Sequence, residues 1–128
     1  MTAKLLLVDD EPGVREAVTA YLEDSGFEVT AVANGQAALE YLETNVPDLI
    51  ITDIMMPHMD GYAFLEKVRQ QPHLNHIPVI FLTARGMTRD RIQGYDAGCD
   101  AYLAKPFDPE ELVAIIKNRA AAASGCPG

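Results

Sequence analysis

The chain has no tryptophan, two cysteines, three histidines and no apolar run longer than the five residues Leu112 to Ile116. A membrane-spanning helix needs roughly 20 consecutive apolar residues, so none is expected. Cys99 and Cys126 are too few and too far apart for a disulfide framework or a cysteine-rich metal knot. They read as reduced thiols of a cytoplasmic protein. One lysine precedes Leu5 and no signal-peptide organisation follows, so export is not expected. His58, His73 and His76 fall in predicted loops without ligand spacing and are assigned no chemistry. Positive charge is scarce in the first half: residues 1–64 hold two basic and twelve acidic side chains, whereas residues 65–128 hold eight and seven. An acidic surface of that kind cannot neutralise a phosphate backbone, so this chain alone should not bind nucleic acid.

What is present suffices for one folded domain. Of 128 residues 48% are hydrophobic and 23% charged, with a net charge of −9, which excludes wholesale disorder. Short β-branched or aliphatic segments at Lys4–Val8, Glu28–Val32, Asp48–Thr52, Val79–Leu82 and Asp100–Leu103 alternate with longer stretches of helical spacing. Val14, Val18, Tyr21 and Leu22 make one apolar helix face; Phe64, Leu65 and Val68 make another, and Leu112, Ile115 and Ile116 a third. Asp108-Pro109-Glu110-Glu111 combines a capping residue, proline at the first helical position and glutamate three beyond the cap. Asn34, Asp60 and Thr88 are expected to cap three further helices. Five β-then-α units predict an α/β fold, a parallel sheet with helices on both faces. The domain is expected over residues 1–119, with 120–128 as a helix end running into a frayed tail or linker.

In an open parallel sheet ligands gather beyond the carboxyl ends of the strands. The first strand delivers Asp9, Asp10 and Glu11 to that edge, the third Asp53, the fourth Thr83 with Ala84, and the fifth Lys105 with Pro106. Each has an ordinary reading in isolation. Acids before Pro12 suit a helix start, a strand-end aspartate suits a turn, Thr83 suits a strand, and Lys105 suits a solvated surface. Together they suit phosphoryl transfer. Two carboxylates about 4 Å apart repel by roughly 4 kcal/mol at an effective dielectric near 20, so a cluster of three calls for a cation. Hard oxygen ligands with open positions favour Mg²⁺. Asp53 can then act as a nucleophile on phosphorus, with the cation and Lys105 neutralising the transferring group and Thr83 donating to one of its oxygens. Met55 and Met56 read as packing or loop residues, although a backbone carbonyl there could reach the metal.

These residues resemble the receiver domains of two-component response regulators. The resemblance runs from about Leu5 to Asn118 and rests on Leu-Leu-Val-Asp-Asp-Glu at 6–11, Asp-Ile-Met-Met-Pro at 53–57, Asp60-Gly61, Leu-Thr-Ala at 82–84 and Ala-Lys-Pro-Phe at 104–107. It implies a doubly wound, flavodoxin-like (βα)5 fold with strand order 2-1-3-4-5. It also implies Asp53 as phosphoacceptor from a sensor histidine kinase, with Mg²⁺ held by Asp10, by Asp9 mainly through water, by Asp53 and by the backbone carbonyl of Met55. Thr83 and Lys105 would touch the phosphoryl group, Lys105-Pro106 would be a cis bond, and Tyr102 would be the switch aromatic. The switch would remodel the surface of the fourth helix, fifth strand and fifth helix, where a homodimer is a possible outcome. Arg85, Arg89, Arg91, Lys105, Lys117 and Arg119 fall in that region. Met55 and Arg85 would flank the path of attacking water and lengthen the phosphorylated lifetime.

Within the family, residues 90–103 and 107–115 resemble cyanobacterial and plastid-encoded regulators that carry a LuxR-type helix-turn-helix, a segment for which nothing after Ala120 provides. Two outputs stay open: transcription control through a DNA-binding domain outside this chain, or a stand-alone receiver signalling by protein contact. An electron carrier of the flavodoxin kind is disfavoured, because Asp-Asp-Glu-Pro after the first strand would repel a flavin phosphate. An aspartate-nucleophile phosphatase is disfavoured because the second carboxylate such enzymes carry two residues on is Met55 here. The expected activity is a phosphoacceptor's own phosphorylation and slow dephosphorylation, not that of an independent enzyme.

Overall fold

The computed structural model describes residues 3–54, 59–83, 101–104 and 108–125. Five strands form one parallel sheet: β1 (Lys4–Val8), β2 (Glu28–Val32), β3 (Leu49–Asp53), β4 (Val79–Thr83) and β5 (Ala101–Ala104). Their order is β2-β1-β3-β4-β5, as the resemblance implies. Helices α1 (Pro12–Asp24), α2 (Gly35–Leu42), α3 (Gly61–Gln70) and a C-terminal helix (Pro109–Gly125) accompany them.

The sheet is covered on both faces, which is why its central strands read as continuous apolar runs. Side chains alternate across a strand. Leu6, Val8, Ile50, Val79 and Phe81 therefore enter one core with Ala38 and Leu42 of α2 and Phe64, Leu65 and Val68 of α3. Leu5, Leu7, Leu49, Ile51, Ile80, Leu82 and Leu103 enter a second core with Val18 and Leu22 of α1 and Leu112 and Ile116 of the C-terminal helix. Both cores contain the periodic positions read from the sequence, Tyr21 excepted, which stays 36% exposed. No helix among the described residues is long and apolar enough to cross a membrane.

Three expected caps form. The Asn34 and Asp60 side chains accept the backbone N–H groups of Ala37 and Ala63, both at 2.8 Å, and the Asp108 carboxylate accepts Glu110 N–H at 2.9 Å. Thr88, and the helix expected between β4 and β5, lie outside the described residues. The C-terminal helix continues through alanines 120–123 to Gly125, as suits the residue with the best helix propensity.

β3 and β5 each start and finish one residue later than the sequence pattern suggests, and β4 starts where expected and finishes one residue later. Asp48, directly before β3, ties that end to β1: its carboxylate accepts the Lys4 N–H and its own N–H donates to the Lys4 carbonyl, each at 2.7 Å. At the other end Asp53 pairs with Leu82 and belongs to the strand itself. The carboxylate at the end of β3 thus projects from fixed, ladder-bonded backbone and not from a loop.

Candidate functional site

The chain runs from β1 outward to β2 and then returns to β3 on the other side of β1, so the switch in direction falls between β1 and β3. Pairing fixes what meets there. Val8 is in register with Thr52, so the next residues, Asp9 and Asp53, leave adjacent strands side by side at a spacing of about 4.8 Å. Asp10 follows from the same turn. One carboxylate oxygen from each of Asp9, Asp10 and Asp53 lies within 4.8 Å of the others.

The three differ sharply in exposure. Asp9 is fully buried, Asp53 is 5% exposed, and Asp10 is open to solvent. A pair of carboxylates at that spacing repels by ~3.5 kcal/mol at an effective dielectric near 20. The donor set is entirely hard oxygen, and Asp10 leaves one side open for water or a further ligand. These residues fit a divalent cation of the Mg²⁺ kind better than a softer metal.

Local structure holds each acid in place. Asp9 N–H extends the ladder to Val32 carbonyl at 3.1 Å, and its Oδ1 accepts Glu11 N–H at 2.9 Å. Its carbonyl accepts Nη1 of Arg15 at 2.8 Å. Asp53 carbonyl accepts the Thr52 hydroxyl at 3.0 Å, and Ile54 N–H reaches Leu82 carbonyl at 3.3 Å. Gly61 then closes onto this strand end, its N–H donating to Ile54 carbonyl at 2.7 Å. A Cβ on Gly61 would lie 2.6 Å from the Asp53 carbonyl oxygen and 2.9 Å from Ile54 Cα. Only glycine permits that approach.

Thr83 is the last residue of β4, in register with Ala104 of β5, and Tyr102 is in register with Phe81. Both are thus placed by backbone at or near the same sheet edge as Asp53. The side chains of Thr83 and Tyr102 are outside the described set, as are Met55, Arg85, Lys105 and Pro106 altogether. A groove of about 460 Å³ between the distal ends of α2 and α3, lined by Leu39, Leu42 and Leu74 among others, includes none of the site residues.

Two contributors escape the strand-end reading: Arg15, which holds the Asp9 carbonyl, and Gly61, which clamps the end of β3. Arg15 had a signal, since it is one of two basic residues in the first 64. Gly61 had a weaker one, a glycine directly after a helix cap.

Comparison with known proteins agrees with this geometry. The response regulator receiver domain model matches residues 5–117. The chain is 63% identical over 115 residues to response regulator Rre1 of Synechocystis sp., covering 89% of this chain and 50% of that protein. It is 52% identical over 118 residues to probable transcriptional regulator ycf29 of Porphyra purpurea, covering 92% of this chain and 56% of that protein. The chain therefore spans about half the length of these relatives. Among solved structures it is similar to the chemotaxis response regulator CheY4 of Vibrio cholerae, with a TM-score of 0.87 and 34% identity over 93% of this chain and 99% of that one. It is equally similar to the receiver domain of sensor histidine kinase PA1611 from Pseudomonas aeruginosa, with a TM-score of 0.87, 35% identity, and coverage of 94% and 99%. That structure has a magnesium ion coordinated in its active-site cleft. The chain belongs to the response regulator receiver domain family.

Proposed function

We propose that this receiver takes a phosphoryl group from a sensor histidine kinase onto Asp53 in a Mg²⁺-dependent reaction. The observation that carries the reading is the convergence of Asp9, Asp10 and Asp53, with one carboxylate oxygen of each inside 4.8 Å, at the switch point of a parallel sheet. Asp9, Asp10 and Asp53 would hold the ion, together with the Met55 carbonyl, and the ion supplies positive charge against the transferring phosphoryl group. An Asp53 carboxylate oxygen attacks phosphorus. The new O–P bond forms as the P–N bond of the donor phosphohistidine breaks, and the released imidazole takes a proton. Burial of Asp53 among backbone held by β1 and β4 keeps that oxygen oriented and limits its hydration. Thr83, at the end of β4, and Lys105, directly after β5, supply a hydroxyl and an ammonium to the phosphoryl oxygens. Tyr102 reports the change on β5 and the helices beside it. The chain acts as a phosphoacceptor that assists its own phosphorylation and slow dephosphorylation.

Relatives about twice as long, one of them bearing the name of a transcriptional regulator, favour a linked DNA-binding domain that responds to phosphorylation. The alternative is signalling by protein contact alone. Incubation with acetyl phosphate and Mg²⁺, beside Asp53→Asn, tests the core of the reading by intact mass. One phosphoryl adduct that requires Mg²⁺ and is missing from the variant supports it. An adduct that survives in Asp53→Asn would assign the acceptor elsewhere.

A further inference from the structure

We propose that Arg15 is a positioning residue for the metal site, holding the peptide that joins Asp9 to Asp10 and so setting affinity for Mg²⁺. The proposal rests on the reading of the three acids as a Mg²⁺ site.

The geometry begins in α1. Arg15 N–H bonds Glu11 carbonyl at 2.9 Å, which fixes the first turn of the helix against the end of β1. From there Nη1 reaches back to the Asp9 carbonyl oxygen at 2.8 Å. That carbonyl and the N–H of Asp10 belong to one rigid peptide plane. Holding the oxygen restrains the plane, which contains the Asp10 N and Cα, and so the point from which the Asp10 side chain leaves the backbone. Asp9 has other restraints, its N–H on Val32 and its Oδ1 on Glu11 N–H. Asp10 is the exposed member of the triad, so the orientation of its peptide matters most to where its carboxylate sits.

Charge argues against a merely electrostatic role. A guanidinium close to a cation site repels the incoming ion, so on charge alone removing Arg15 would tighten Mg²⁺ binding. Positioning predicts the opposite sign. The planar guanidinium fork also suits a directed bond to a carbonyl better than a mobile ammonium does.

The test uses ¹⁵N-labelled protein titrated with Mg²⁺, following the amides of Asp9, Asp10 and Glu11. Arg15→Met keeps the aliphatic stem and helix propensity while losing the donors; Arg15→Lys keeps the charge and a shorter donor. Arg15→Met is expected to weaken Mg²⁺ binding about tenfold, with Arg15→Lys between it and the parent. With acetyl phosphate, the loss should appear in the Mg²⁺ concentration needed for half-maximal rate, and the rate at saturating Mg²⁺ should stay within about twofold. Tighter binding in Arg15→Met would overturn the proposal in favour of simple charge repulsion. A lowered melting temperature with unchanged Mg²⁺ affinity in both variants would reduce Arg15 to a structural bond and overturn it equally. Should Arg15→Met fail to fold, weakened binding by a fully folded Arg15→Lys supports the proposal, and parent-like binding overturns it. If the parent protein itself shows no Mg²⁺ response, the reading of the acids fails before Arg15 is reached.

Discussion

Gly61→Ala is the substitution for which the structure gives the sharpest expectation. The added Cβ would stand 2.6 Å from the Asp53 carbonyl oxygen, 2.9 Å from Ile54 Cα and 3.3 Å from the Asp53 carbonyl carbon. All three are backbone atoms, so no flexible side chain can swing aside. Asp53 is paired with Leu82 of β4, and Ile54 N–H is bonded to Leu82 carbonyl. Either α3 backs away from β3, or the end of β3 leaves β4. Overpacking of this kind costs about 1–3 kcal/mol, and stretching the Gly61 N–H bond to Ile54 adds about 1 kcal/mol. Better helix propensity returns at most about 1 kcal/mol, and less at the first residue of a helix. The net loss is about 1–4 kcal/mol, a fall in melting temperature of roughly 4–20 °C for a domain of this size. Because the displaced atoms include the backbone of the proposed phosphoacceptor, phosphorylation by acetyl phosphate should slow even well below the melting temperature. Gly13→Ala supplies the internal control. No atom lies within 4 Å of a Cβ at Gly13, so that variant should equal or exceed the parent by up to about 1 kcal/mol. Calorimetry on both variants decides the matter: a Gly61→Ala protein as stable as Gly13→Ala would refute the close-approach argument.

Asp53→Asn removes one member of a like-charged cluster, so without Mg²⁺ it should melt a few degrees above the parent while giving no phosphoryl adduct by intact mass. Mg²⁺ should raise the melting temperature of the parent in proportion to occupancy, about 1.4 kcal/mol at ten times its dissociation constant, and far less in Asp53→Asn; identical shifts in the two proteins would place the bound ion elsewhere. Asn34→Ala and Asp60→Ala each lose a side-chain bond to a helix N-terminus at 2.8 Å and should cost about 1 kcal/mol apiece by urea denaturation. Two silent variants would mean that water replaces these caps at no cost.

The fold was legible because its signals are local and agree with one another. Apolar runs in β1, β3 and β4 alternate between two cores, and the capping residues Asn34, Asp60 and Asp108 mark helix starts that form as read. Strand order was not legible from periodicity, which is blind to which strands pair, and came through the resemblance. The acids of the site could be placed at the sheet edge because strand ends can be counted. What the pattern could not convey was that Asp53 lies inside its strand. That outcome depends on the pairing of Asp53 with Leu82 of β4, a long-range contact with no sequence period. Arg15 escaped for a related reason: its bond runs to a backbone carbonyl, an atom every residue possesses and no motif announces.

The placement of the acids also explains why their repulsion does not simply open the site. Asp9 follows β1 and Asp53 ends β3, and the apolar residues of both strands are between 0% and 1% exposed. Each of these strands is paired on both sides, β1 with β2 and β3, and β3 with β1 and β4. For the strand ends to separate, the sheet would have to break between two buried members, exposing apolar surface at about 25 cal/mol per Å². An edge strand offers no such restraint. β2 is half-exposed along most of its length, and acids at its end could turn outward into water. Mounted on the central strands, Asp9 and Asp53 are held side by side, and the proposed cation would relieve their repulsion. If the acids hold Mg²⁺ as proposed, the stability of the sheet is converted into affinity at its carboxyl edge, between β1 and β3.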